Sequence, residues 1–163
     1  MLGKDYEGQE CALASTLEVL GERWTLLIVR DAFFGVRRYS DWVARLDIPR
    51  AVLSDRLRGL VASGILAKRE DHYELTDAGA ELWPALHALI AWGARHRRPS
   101  TNRYRHAACD TELGPGAACP ACGVVPPAAD VLVVPRPSVA GGRTDPVSIA
   151  MRATRSTLSL IHI

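Results

Sequence analysis

Apolar residues recur at helical spacing through "ECALASTLEVLGERWTLLIVRDAFFG", with a break at Gly21. The pattern predicts two helices, over residues 9–20 and 22–34, the second apolar enough on its inner side to sit at the centre of a core. The basic turn "GVRRYS" follows, and "YSDWVARL" then predicts a short helix with Trp42, Val43 and Leu46 facing inward. In "DIPRAVLSDRLRGLVASG", Pro49 suits a first helical turn, where its missing N–H costs nothing. Gly64 suits a left-handed end. Between them Leu53, Leu57, Leu60 and Val61 form one buried stripe. Opposite that stripe lie Ala51, Asp55 and Arg58, with Arg50, Ser54 and Arg56 on its flanks.

The alternation in "ILAKREDHYELT" predicts a short hairpin, 65–69 against 72–75. Thr76 is the expected N-cap of a long helix, "DAGAELWPALHALIAWGARH", with Leu82, Leu86, Leu89, Ile90 and Gly93 along one face and a bend at Pro84. Trp24, Trp42, Trp83 and Trp92 fall on helical stripes and are expected in the core; Trp83 and Trp92 are also placed to line an effector cleft. Beyond Arg98 the pattern gives way to Pro, Ser and Arg. The organisation read from this is a helical domain over 1–98, a Cys/His tail over 99–130 and an irregular tail over 131–163, in which "DVLVV" is one possible strand. The closing "LSLIHI", 158–163, reads as a translated transposon-end adapter and receives no function.

The order of elements is a short helix, a turn at "DIPR", a helix exposing arginine, then a hairpin. That is a winged helix-turn-helix, giving a mainly α fold with a small β-hairpin. Net charge is only +2, but its placement is uneven. Residues 30–70 hold nine Arg or Lys against five acids, and "ARHRRPSTNRYRH" has five arginines and no acid. Such clustering suits a polyanion, although a solvated charged face would look the same on charge alone. No apolar run approaches the roughly 18 to 20 residues of a membrane span, and the start shows no signal segment, so a cytoplasmic protein is expected. No nucleophile–base constellation, paired-carboxylate site or phosphate loop stands out, so no enzyme is expected.

His106, Cys109, Cys119 and Cys122 are spaced H-x2-C-x9-C-x2-C. Two close pairs joined by a short loop can wrap a tetrahedral ion, and three thiolates with one imidazole are a structural zinc set. Four protein ligands leave no open position for catalysis, so the expected role of Zn2+ is to staple a tail too short for its own core. The alternative is a reversible dithiol, Cys119 with Cys122. Cys11 stands alone at the start of the first helix. It is either a redox-sensing thiol or interface packing.

The blocks "LEVLGERWTLLIVRDAFFGVRRYSDW", "IPRAVLSDRLRGLVASGIL" and "YELTDAGAELWPALHALIAWG" resemble the HxlR-type winged helix-turn-helix transcriptional regulators, relatives of the MarR group. The resemblance spans about residues 8 to 125. It implies a cytoplasmic bacterial homodimer, paired through its first and last helices, that binds an inverted repeat of double-stranded DNA. The 50–63 helix would enter the major groove, with Arg50, Ser54 and Arg58, beside Ala51, facing base edges. Arg37, Arg38, Arg56, Lys68 and Arg69 would hold phosphates. Asp55 would accept from cytosine or pair with a neighbouring Arg. A small-molecule or oxidant effector is also implied, as is a subset of relatives with Cys-rich tails. The wing "ILAKREDHYEL" is shorter than the family's usual one, and Asp110 stands where Gly often follows the first tail cysteine. Two other readings remain open at this point: a redox- or metal-responsive sensor with conditional DNA binding, and a protein-interaction adaptor.

Overall fold

The computed structural model describes residues 10–136 and 143–158. Four helices come first: α1 (Ala12–Leu20), α2 (Thr25–Phe33), α3 (Tyr39–Leu46) and α4 (Arg50–Ala62). A two-stranded wing follows, β1 (Leu66–Lys68) antiparallel to β2 (Tyr73–Leu75). The centre is α2, whose Ile28, Val29 and Phe33 are wholly buried against Trp42 of α3 and Leu53, Leu57 and Leu60 of α4. Even the polar edge of Trp42 is absorbed, its indole N–H donating to the Ile28 carbonyl at 3.3 Å.

The turn between α3 and α4 is set by residue chemistry. Asp47 takes the left-handed conformation (φ 53°) that ends α3, which a short polar side chain tolerates. Pro49 caps α4 one residue outside the helix rather than within its first turn. Gly64 turns the chain at φ 73° into the wing. Thr76 caps the next helix as expected, accepting from the Gly79 amide at 3.0 Å while donating to the Gly64 carbonyl at 2.6 Å.

Three further expectations are corrected. The long helix is two pieces, α5 (Asp77–Ala80) and α6 (Trp83–His96), and Pro84 lies in the first turn of α6 rather than bending a continuous helix. A proline there needs no hydrogen-bond partner, so the break falls just before it. Trp92 and Leu89 are not core: they are 53% and 54% exposed, because the later turns of α6 have a face that the described residues leave uncovered. Trp83 is buried but packs against Phe33, His87 and Tyr104 rather than lining a cleft with Trp92.

The third correction concerns the segment read as irregular. Beyond Arg98 the chain builds a four-stranded antiparallel sheet in the order β4-β3-β5-β6, from β3 (Asn102–His106), β4 (Thr111–Glu112), β5 (Val131–Pro135) and β6 (Arg155–Ser156). A short helix, α7 (Pro146–Ala150), packs on α3. Tyr104, Val131, Val133, Val147 and Met151 join the same core cluster as α2. A buried ionic node also ties tail to body. Asp31 of α2, with no exposed surface, pairs with Arg30 at 2.7 Å and Arg45 at 3.3 Å, and Arg45 donates to Ser148 of α7 at 2.8 Å. Of "LSLIHI" only Leu158 lies within the described residues. Its amide donates to the Phe33 carbonyl at 2.7 Å, and its own carbonyl accepts from Arg37 at 3.0 Å.

Candidate nucleic-acid interface and metal centre

Helix α4 sorts its residues cleanly. Leu53, Leu57 and Leu60 are at most 1% exposed, while Arg50, Ala51, Ser54, Asp55 and Arg58 face solvent. The inner stripe anchors the helix, so the outer face can be presented without being needed for packing. Ser54, Arg58 and Lys68 share a hollow of about 520 Å³ with Tyr39 and Tyr73, joining the face of α4 to the wing. Tyr39 of α3 positions that face: its hydroxyl donates to the Arg50 carbonyl at 2.8 Å and lies 3.1 Å from Ser54 Oγ.

The cations named in the sequence divide into two sets. Arg38, Arg50 and Lys68 are exposed and make no side-chain ion pair among the described residues. Arg58 is 75% exposed and only loosely held, 3.3 Å from Asp55 one turn earlier. Asp55 therefore meets neighbouring arginines, Arg58 and, at 3.8 Å, Arg56. The others are more committed. Arg56 reaches Glu22 at 3.5 Å, Arg37 is half-buried against Glu74 and the Leu158 carbonyl, and Arg69 meets Glu74 at 3.0 Å. Glu74 thus gathers Arg37, Arg69 and His72 at the base of the wing. Sequence reasoning missed this node, because a lone Glu in a hairpin carries no signal of how many cations will turn toward it.

The metal-centre residues converge. Ligand atoms of His106, Cys109, Cys119 and Cys122 all lie within 4.8 Å of one another. Cys109 Sγ is 3.5 Å from His106 Nδ1, 3.5 Å from Cys119 Sγ and 3.4 Å from Cys122 Sγ. Ligands about 2.3 Å from a tetrahedral ion are spaced about 3.8 Å apart, so the cluster is close to the dimensions of such a site. Two similar turns present the pairs. Asp110 N–H reaches back to the His106 carbonyl, and Gly123 N–H to the Cys119 carbonyl, each at 2.8 Å. Both turn residues are left-handed, Asp110 at φ 54° and Gly123 at φ 69°. Asp110 thus fills the role glycine plays in the second turn, and its carboxylate is held by Arg105 at 3.1 Å.

Crowding splits the thiols. Hydrogen bonds from the Thr111 hydroxyl and amide, then from Cys122 and Cys119, lower Cys109 to about 6. Donating toward Cys109 raises Cys122 to about 11. Three sulfurs this close can all be thiolates only when a cation joins them. His106 and Cys119 are buried, while Cys109 and Cys122 are exposed. Cys11 lies far outside this cluster in sequence, exposed at the N-cap of α1.

No helix among the described residues is long and apolar enough to cross a membrane. Residues 19–101 match the family model for the HxlR-like helix-turn-helix. The chain is 39% identical over 146 residues to the uncharacterized HTH-type transcriptional regulator Rv3095 of Mycobacterium tuberculosis, an alignment covering 83% of this chain and 91% of that protein. It is 33% identical to the regulator YtcD of Bacillus subtilis over 52% of this chain and 74% of that one. Among solved structures, PA1607, described as a transcription-factor candidate, superposes with a TM-score of 0.60 at 30% identity, covering 68% of this chain and 84% of its own. With its arginine-faced α4 held outward by a leucine stripe and followed by a wing, the chain belongs to the HxlR-like helix-turn-helix family of DNA-binding transcriptional regulators, which are not enzymes.

Proposed function

We propose that the chain is a homodimeric, sequence-specific regulator that places α4 in the major groove of an inverted-repeat operator. The observation that carries this reading is the open face of α4, whose Arg50, Ser54 and Arg58 are exposed beside Lys68 of the wing. Arg50 and Arg58 are the residues for guanine edges, since a guanidinium can pair bidentately there. Arg38 and Lys68 hold phosphates. Arg37, Arg56 and Arg69 contribute to the same surface only by exchanging an intramolecular carboxylate for a phosphate. Support for pairing comes from apolar side chains left in solvent on the two end helices: Leu13 and Leu17 of α1, Leu89 and Trp92 of α6. The Cys/His cluster holds a structural zinc ion through all four ligands, leaving no open position.

The test is fluorescence anisotropy on an operator located by genome-wide binding. Affinity is expected to fall by more than about tenfold between 50 and 200 mM salt. Arg58→Ala should cost about 1–3 kcal/mol and relax preference at one base pair, whereas Lys68→Ala should weaken all sequences alike. Binding indifferent to salt and to Arg58→Ala would remove α4 from the interface.

A further inference from the structure

A cleft of about 340 Å³ opens where the end of α6 meets the start of β3. It is separate from the hollow beside α4, and the two share no lining residue. Four arginines line it, Arg30 of α2, Arg45 of α3, and Arg97 and Arg98 after α6, and among the described residues no carboxylate does. Asp31, behind two of these arginines, is fully buried and already shared between Arg30 and Arg45. A further cation lies near: the partly buried Arg155 sits over the Phe34 ring at 5.7 Å, with its Nε and Nη2 unpartnered. Burial first, and then the charge of Arg45, lowers Arg155 to about 10. The neighbourhood therefore carries more positive charge than its own side chains neutralise.

The rest of the lining is not charged. Phe34, Ile90 and Tyr104 supply apolar surface, and Gly93 keeps α6 free of a side chain there. A bare inorganic anion would leave that surface unused, whereas a molecule with an apolar body and an acidic end would cover both. The size falls within the usual range for small-molecule sites. We propose that this cleft is a binding site for a small organic acid, its carboxylate held by the arginines and its body against Phe34, Ile90 and Tyr104. Duplex DNA is a poorer occupant, since the cleft shares nothing with the outward face of α4.

Isothermal titration of the whole chain with sodium benzoate tests this, and because that titration contains no DNA its result does not depend on the regulator reading. Saturable binding at one site per chain is expected, with at least tenfold weaker binding by inorganic phosphate. The double variant Arg97→Ala/Arg98→Ala changes two exposed residues and should lower benzoate affinity at least tenfold with an unchanged melting temperature. Arg50→Ala, on the α4 face, should leave it unchanged. Absence of saturable binding, equal affinity in the double variant, equal affinity for phosphate, or displacement of benzoate by an unrelated duplex would each overturn the assignment.

Discussion

His72, between the two wing strands, lies 2.7 Å from Asp71 and 3.1 Å from Glu74. Its bonds to Asp71, and then to Glu74, raise it above the ordinary 6.5, and the same contacts lower both carboxylates. The signs give opposite limits. The contribution of His72 is complete below its unfolded value and fades as pH rises through the elevated one. Those of Asp71 and Glu74 are complete above their ordinary 3.8 and 4.5 and fade as pH falls through the depressed ones. The cluster therefore helps folding most between about 4.5 and 6.5. Denaturant melts of His72→Gln should show lost stability at pH 6 and almost none at pH 9; an equal loss at both would mean that the imidazole acts by shape alone. Because Glu74 also holds Arg37 and Arg69, this small network sets how freely those two cations can turn outward.

At the level of elements, two glycines in helices should respond oppositely to alanine. A Cβ on Gly79 of α5 would lie 2.2 Å from the Ile65 carbonyl oxygen, so the helix and the strand entry would have to part. Gly79→Ala should destabilise by about 1–3 kcal/mol. Gly59 of α4 has nothing within 4 Å of such an atom, and Gly59→Ala should stabilise by about 0.5–1 kcal/mol. Thermal melts of the two variants test the packing of α5 against Ile65 and β2; a shift of the same sign in both would contradict it. The first four helices and the wing were legible in the sequence because each carries its own apolar stripe and its own stop, as with Leu53 to Val61 and Gly64. The clustering of His106 with Cys109, Cys119 and Cys122 was legible because their spacing brings two close pairs together. Of the second sheet only β5 was, as the possible strand "DVLVV". β3, "NRYRH", buries only Tyr104 and His106, while β4 and β6 are two residues long. Their signal is in cross-strand pairing, such as Tyr104 opposite Val133, which no local window contains. For the same reason the cleft went unseen: Arg30, Arg45 and Arg98 are far apart in sequence and meet only when the tail folds back.

In the whole molecule, the tail is structural rather than appended. Leu113, Ala117, Cys119 and Ala128 belong to one core with Ile28 and Trp83. The loop joining β3 to β5 contains the three cysteines of the cluster, and its fourth member, His106, ends β3. The proposed zinc ion would offset the entropy of closing that loop and the repulsion among thiolates. Protein purified without chelator should carry about one zinc per chain by elemental analysis, and its removal should lower the melting temperature of the whole unit. Cys119→Ser, at a buried ligand, should lose the ion; full retention of zinc in that variant would exclude the four-ligand site.

Strand β3 links two places that look independent. His106 at one end belongs to the metal cluster, while Asn102 and Tyr104 wall the arginine cleft. All five residues of the strand pair with β5, and Arg105 and His106 pair with β4 as well, so one stretch of regular backbone runs from the cleft to the cluster. If an acid in the cleft tightens the grip on the ion, the ion must tighten the grip on the acid by the same factor. The supply of metal would then set the concentration of acid to which the protein answers.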